Sequence, residues 1–251
     1  MKKSFAKINW SLRILGKRSD GFHDLETLFQ TISLHDELTF REGEGVTLTC
    51  DDPSIPTDDT NLVIRAAKAV GVKHVAIELR KRIPAGGGLG GGSSNAATTL
   101  RALGRGNLHE IASSLGSDVP FFLVGGTAYA TGRGEVLTPI APMDGIPLLL
   151  VLPEEKVVTR EAFARITHYS EPLGIEAYRD FSAFTNDFEE PVFAMLPRLR
   201  TLKERLYASG AKWAQMSGSG SALFGVFESS AVRDEAAASF ADVRVEKADT
   251  I

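Results

Sequence analysis

Residues 84–94 read Pro84-Ala85-Gly86-Gly87-Gly88-Leu89-Gly90-Gly91-Gly92-Ser93-Ser94, six glycines and two hydroxyls set between a strand-like run and a helix-like run. No other segment constrains the fold as tightly. Glycine reaches positive φ at little steric cost and lets backbone N–H groups approach an anion closely. The first turn of the following helix adds N–H donors without intrahelical acceptors and the positive end of the helix dipole. The segment therefore reads as a cradle for a nucleotide triphosphate.

The flanks decide between a cradle and a plain turn. Val75-Ala76-Ile77-Glu78-Leu79-Arg80 alternates apolar and polar side chains, as a half-buried strand does. Residues 95–103 read as a helix that Ser93 or Ser94 caps and that ends near Gly104. A flexible linker does not ordinarily sit between two patterned elements. The P-loop reading fails because no lysine follows the last glycine. Gly86, Gly88 and Gly91 fit the G-x-G-x-x-G spacing, but a dinucleotide fold also needs a parallel βαβ unit and an acid about 20 residues on. Glu110 has that spacing yet follows a new helix start rather than a strand end.

Elsewhere, residues 27–38 and 45–49 are strand-like and 61–70 and 108–115 helical; short strands at 128–130 and 135–139 flank a glycine turn. The continuous apolar run 146–152 suits a buried strand. Beyond it lie helical segments near 160–166, 191–209 and 231–240, and strands at 213–216, 222–227 and 243–245. Mixed α+β in two lobes follows, with a boundary at Leu152-Pro153: residues 1–152 form an N-terminal lobe carrying the glycine loop and 153–251 a C-terminal lobe. A net charge of −4 argues against a general nucleic-acid binder. A lone Cys50 excludes an intrachain disulfide and suits a reducing, cytoplasmic setting. No apolar run reaches the length of about 18 residues that a spanning helix needs, so no membrane partner is expected. The sequence is silent on oligomeric state.

Four segments in order resemble one family, the GHMP kinases. Besides the loop they are 6–12 with 16–23, Gly116-Ser117-Asp118-Val119-Pro120-Phe121-Phe122, and Ser217-Gly218-Ser219-Gly220-Ser221. Within that family they are most similar to the branch that phosphorylates 4-diphosphocytidyl-2-C-methyl-D-erythritol at its 2-hydroxyl in the non-mevalonate isoprenoid route. The resemblance implies a two-lobed fold, with an N-terminal lobe like domain 2 of ribosomal protein S5 and a ferredoxin-like C-terminal lobe. It also implies ATP and Mg2+, a small-molecule substrate, and an ATP site over residues 84–94. Another kinase of the family, acting on homoserine or mevalonate, and a nucleotide-binding protein without kinase activity are the alternatives.

Residue roles follow from the same resemblance. Asp118 matches the proposed catalytic base; on local pattern alone, a Gly-Ser-Asp is commonly a helix or turn cap. Lys7 would be the cation beside it. In the alternating stretch 5–12, a strand sets Phe5, Lys7, Asn9 and Ser11 on one face and Ala6, Ile8, Trp10 and Leu12 on the other, and the plain reading of the first face is a solvated edge. Asn9 would bind the methylerythritol part. His23 would hydrogen-bond the cytosine, with Phe22 before it where most members carry Tyr, so stacking survives and a phenol hydrogen bond is lost. Phe184 matches the aromatic on the other face of the base, with Phe181 and Phe188 one small register shift away. Ser217, Gly218, Ser219 and Gly220 form a supporting glycine motif, or simply a hairpin turn. No acidic cluster identifies itself as the metal site, although Ser94 offers an oxygen.

Overall fold

The computed structural model describes residues 1–179 and 181–251, with Arg179 described by its backbone only. Two long strands open the chain, β1 (Lys2–Lys17) and β2 (His23–Arg41), and they pair with each other. The expected alternation along β1 is present, but neither face is solvated. Ala6, Ile8 and Trp10 are buried on one side, and Lys7, Asn9 and Ser11 are buried on the other. The solvated-edge reading is thus corrected: the polar face is interior because it meets hydrogen-bonding partners rather than water.

Packing divides the chain into two units, neither continuous in sequence. The first comprises Met1–Ala6, Leu34–Ala85 and Gly90–Gly125. In it the end of β2 pairs antiparallel with β4 (Val75–Arg80), and β4 pairs parallel with β3 (Val46–Cys50). A parallel pair needs a crossover, which α1 (Leu62–Ala69) supplies. That helix starts where the Asn61 side chain accepts from the Val63 N–H, satisfying one of the four free donors of its first turn. Val63, Ile64 and Ala67 of α1 pack on Leu38, Leu48, Ile77 and Leu79 of the strands. The unit is completed by α2 (Gly91–Leu103), α3 (His109–Leu115) and α4 (Val119–Val124).

The second unit comprises Lys7–Ser33, Gly86–Leu89 and Gly126–Ile251. Here the first half of β2 pairs with β5 (Thr127–Thr131), which pairs with β6 (Val136–Pro139). A separate antiparallel sheet has the order β10-β7-β9-β8, built from β7 (Pro147–Leu152), β8 (Trp213–Met216), β9 (Leu223–Val226) and β10 (Arg244–Asp249). Leu148, Leu149, Leu150 and Val151 of β7 are buried on both faces, as their unbroken apolar run implies. Each such side chain contributes about 1.5–3 kcal/mol on burial. Among the described residues, four α-helices belong to this unit: α5 (Thr159–Ala164), α6 (Glu189–Met195), α7 (Pro197–Ala208) and α8 (Ser230–Ala236). Leu199, Leu202 and Leu206 set one face of α7 into the core beside Leu149 and Ala214.

Two helix expectations are corrected. The helix expected over 191–209 is two helices, because Pro197 lacks an N–H and pushes Leu196 out of helical geometry, to φ −129°. The helix expected over 231–240 is α8 followed by a 3-10 turn from Ala237 to Phe240.

Candidate active site

The glycine loop has the left-handed backbone its composition implies. Gly86, Gly88 and Gly90 have φ of 74°, 75° and 70°. Gly90 is itself the cap of α2, so the chain enters the helix directly from a left-handed glycine, and neither Ser93 nor Ser94 caps it. Both serines lie in the first turn. The Ser94 hydroxyl is buried, donates to the Phe5 carbonyl at 2.6 Å and lies 2.8 Å from the Ser4 hydroxyl, which ties α2 to the start of β1. Its oxygen is therefore committed to protein partners rather than presented to a metal.

In the second unit the loop, β1 and the C-terminal glycine motif converge on one atom. The Gly88 carbonyl accepts from Lys7 Nζ at 2.7 Å and from Ser217 Oγ at 3.0 Å. The backbone closes the same junction, with Lys7 N–H donating to the Leu89 carbonyl and Ala222 N–H to that of Gly87. A Cβ on Gly88 would stand 2.0 Å from the Ser217 carbonyl oxygen, and one on Gly218 only 3.4 Å from Lys7 Nζ. Residues 217–222 form the expected hairpin between β8 and β9, closed by Ser217 N–H to the Ala222 carbonyl. The hairpin and the supporting motif are thus one object. Ser219 Oγ is 2.8 Å from Thr159 Oγ1.

Lys7 Nζ also donates to Asn9 Oδ1 at 2.6 Å, and Asn9 Nδ2 donates to Thr27 Oγ1 at 2.7 Å. Thr27 in turn donates to the Ser11 carbonyl. This relay fixes the amide of Asn9 through a residue on β2, and sequence pattern alone does not single out Thr27. Asn186 is a second missed residue: its Nδ2 donates to the carbonyls of Met216 and Gly218 and holds the hairpin in place.

Asp118 belongs to the first unit, half-buried at the N-cap position of α4. Its side chain makes no capping hydrogen bond, and buried Val119, Pro120 and Phe121 pin the helix immediately after it. Capping α4 is therefore not what the carboxylate does.

The remaining candidates belong to the second unit. Phe22 is 49% exposed on a turn closed by Arg18 N–H to its carbonyl, with the Arg133 guanidinium 4.7 Å from its ring. His23 stacks on Phe163 at 4.4 Å and 11°. Burial, and then the charge of Lys17, lower its pKa from the ordinary imidazole value. Of the three aromatics near 184, Phe188 is core, packed edge-on to Phe163 at 4.8 Å. Phe184 is only 2% exposed, against Trp10 and Phe181, and borders a cavity of about 430 Å³ shared with Tyr178 and Met143. Phe181 lines the same cavity and is 39% exposed. The cavity wall is braced by buried Glu26, whose carboxylate accepts from Tyr178 and Tyr129 hydroxyls and from the N–H groups of Leu173 and Gly174. Burial, with Glu26 second, raises both phenols, Tyr129 to about 12.

Among the described residues, no group of three or more His, Cys, Asp or Glu side chains is arranged to hold a metal, and no helix is long and apolar enough to cross a membrane.

Comparison with known proteins places this arrangement. Residues 61–126 match the GHMP kinases N terminal domain and residues 171–243 the GHMP kinases C terminal. A 4-diphosphocytidyl-2-C-methyl-D-erythritol kinase from Chlorobium phaeobacteroides (strain BS1) is 46% identical over 90% of this chain and 88% of that protein. One of the same name from Protochlamydia amoebophila (strain UWE25) is 42% identical over 87% of this chain and 81% of its own. A crystal structure of 4-(cytidine 5'-diphospho)-2C-methyl-D-erythritol kinase superimposes with a TM-score of 0.88 at 35% identity, covering 99% of this chain and 98% of that one. The Methanococcus jannaschii mevalonate kinase shares the fold at a TM-score of 0.71 and 14% identity, covering 100% of this chain and 98% of its own. The chain belongs to the GHMP kinases, and within them to the family of 4-diphosphocytidyl-2-C-methyl-D-erythritol kinases.

Proposed function

We propose that the chain transfers the γ-phosphoryl group of ATP to the 2-hydroxyl of 4-diphosphocytidyl-2-C-methyl-D-erythritol, giving the 2-phosphate and ADP in the cytoplasmic, non-mevalonate route to isoprenoid precursors. Its membership of a kinase family carries the use of ATP. The single observation that carries the residue assignment is the Gly88 carbonyl, which accepts from both Lys7 and Ser217 and so joins a buried ammonium to the glycine loop.

In this reading residues 84–94 bind the phosphates through backbone N–H groups, and the 217–220 hairpin buttresses the loop. The substrate hydroxyl oxygen attacks the γ-phosphorus in line, the bond from γ-phosphorus to the bridging oxygen breaks, and ADP leaves with its electron pair. Asp118 accepts the hydroxyl proton, and the Lys7 ammonium offsets negative charge on the reacting oxygens. Asn9, aligned by Thr27, orients the methylerythritol hydroxyls. Phe22, His23 and Phe184 form the cytidine side, where a neutral His23 can both donate and accept a hydrogen bond. Phe181, the more exposed neighbour, extends the aromatic wall. Magnesium would arrive as the Mg-ATP substrate, held in large part by the phosphate oxygens, as this strongly hydrated ion is in other nucleotide sites. The family matches at 61–126 and 171–243 fall on either side of a boundary after residue 152, but that boundary parts β7 from the strands of its own sheet, and the compact units are discontinuous in sequence.

The test is ADP release from Mg-ATP by purified protein offered the cytidine alcohol, homoserine, mevalonate and galactose in parallel. Release only with the cytidine alcohol is expected. Release only with another alcohol would keep the loop and discard the substrate pocket.

A further inference from the structure

Asp36 is an acid on an apolar stripe. Along β2 it alternates in phase with Leu34 and Leu38, and all three are buried, Asp36 completely. A carboxylate in that position needs every oxygen occupied. Its Oδ1 accepts from the backbone N–H groups of Arg82 at 2.7 Å and Ile83 at 2.9 Å. Its Oδ2 accepts from Lys81 Nζ at 2.5 Å and from Asn95 Nδ2 at 2.9 Å. The first three donors lie immediately before the glycine loop and the fourth lies in the first turns of α2 immediately after it. Asn95 Nδ2 reaches Ser4 Oγ as well.

The two feet of the loop also touch each other directly. A Cβ on Gly91 would stand 2.9 Å from Ile83 Cγ2 and 3.1 Å from Lys81 Nζ, so the exit of the loop rests on its entrance with no room between them. We propose that Asp36 is a positioning residue for nucleotide binding: its carboxylate staples the entrance and exit of the glycine loop, so that the N–H groups between them are held for the triphosphate before it arrives. A loop clamped at its base gives up less conformational freedom when a ligand orders it. A staple of this kind acts chiefly on ATP: its members include none of the alcohol's proposed contacts, Asn9, Phe22, His23 and Phe184, and the loop reaches Asn9 only at second hand, through Gly88 and Lys7.

The inference rests on residues 84–94 being the ATP site, and the experiment separates the two. Wild-type protein, Asp36→Ala and Asn95→Ala are compared for Mg-ATP binding by calorimetry and for the KM of each substrate, with thermal melts alongside. The expected result for Asp36→Ala is a rise of roughly tenfold in the KM and Kd for Mg-ATP, the factor for re-ordering about one residue of backbone on binding. The KM for the cytidine alcohol stays within about twofold. Asn95→Ala, which frees only the exit, gives a smaller rise confined to ATP. Faster amide exchange over residues 85–92 in the nucleotide-free variants accompanies both. If Asp36→Ala does not fold, Asn95→Ala decides by the same criterion. A lowered melting temperature with unchanged ATP affinity, or an equal rise in both KM values, overturns the staple and leaves the ATP site standing. No binding of Mg-ATP by the wild type overturns both.

Discussion

Gly86→Ala and Gly88→Ala start from nearly the same backbone and should end far apart. Their φ angles are 74° and 75°, a region that costs an L-residue about 1–2 kcal/mol. At Gly86 nothing lies within 4 Å of the added Cβ, so the left-handed strain is the whole cost. At Gly88 the new carbon would stand 2.0 Å from the Ser217 carbonyl oxygen and 3.0 Å from its carbon, both backbone atoms that no rotamer change can move. Loop and hairpin must part. Parting them removes what the Gly88 carbonyl accepts, a charged hydrogen bond from Lys7 and a neutral one from Ser217. These contribute about 1.5–3 and about 0.5–1.5 kcal/mol respectively, so Gly88→Ala should exceed Gly86→Ala by about 2–4.5 kcal/mol.

The assay is kcat/KM for Mg-ATP with the cytidine alcohol saturating, and thermal melts of both variants. Gly86→Ala should lose about 5- to 30-fold, and Gly88→Ala a further 30-fold to about 10³-fold. Equal losses in the two variants would refute the reasoning, because they would mean that the Gly88–Ser217 junction contributes nothing beyond its dihedral angle.

Three further outcomes are expected. Asp118→Asn should keep the fold and Mg-ATP binding, since the carboxylate does not cap α4, while turnover falls by about 10²-fold or more; unchanged turnover removes Asp118 from the chemistry. His23 should titrate below 6.5 by NMR, with Phe163→Ala moving the midpoint upward as water reaches the ring. A base whose folded pKa is depressed binds fewer protons folded than unfolded, so its contribution to stability grows as pH rises from the folded toward the unfolded value; His23→Gln should flatten that acid-side slope, and a midpoint at or above 6.5 would sink the assignment. Glu26→Ala leaves two tyrosine hydroxyls and two backbone N–H groups without their acceptor. At about 1 kcal/mol each, that is about 4 kcal/mol and roughly 8–16 °C in Tm, and a loss under about 4 °C would refute the brace.

How much of this was legible in the sequence depends on the range over which each residue acts. The loop was legible because positive φ is a local property of glycine, and the strand before it and helix after it are local patterns too. Its cap was misread because composition does not say which glycine in a run turns left-handed into the helix, and Gly90 did so ahead of both serines. The polar face of β1 is ambiguous in sequence for a different reason. Alternation assigns side chains to faces but not the faces to water or protein, and the partners of Asn9 and Ser11 include Thr27 and Thr185, up to 174 positions away. Phe181, Phe184 and Phe188 were indistinguishable by type and separate only through packing, with Phe188 in the core and Phe181 at the surface.

Asp36 marks where such reading can be extended. In Leu34-His35-Asp36-Glu37-Leu38 it passes for an ordinary surface charge, and its donors lie 45 to 59 positions away. Yet strand period two sets it between two leucines on the apolar side and leaves Glu37 on the other. An acid in phase with leucines is costly unless several donors converge on it, and backbone donors converge where a chain bends sharply. The signal therefore does not name the partners, only that several donors must converge on the carboxylate, and in the structure two of the four are backbone N–H groups at the entrance to the glycine loop.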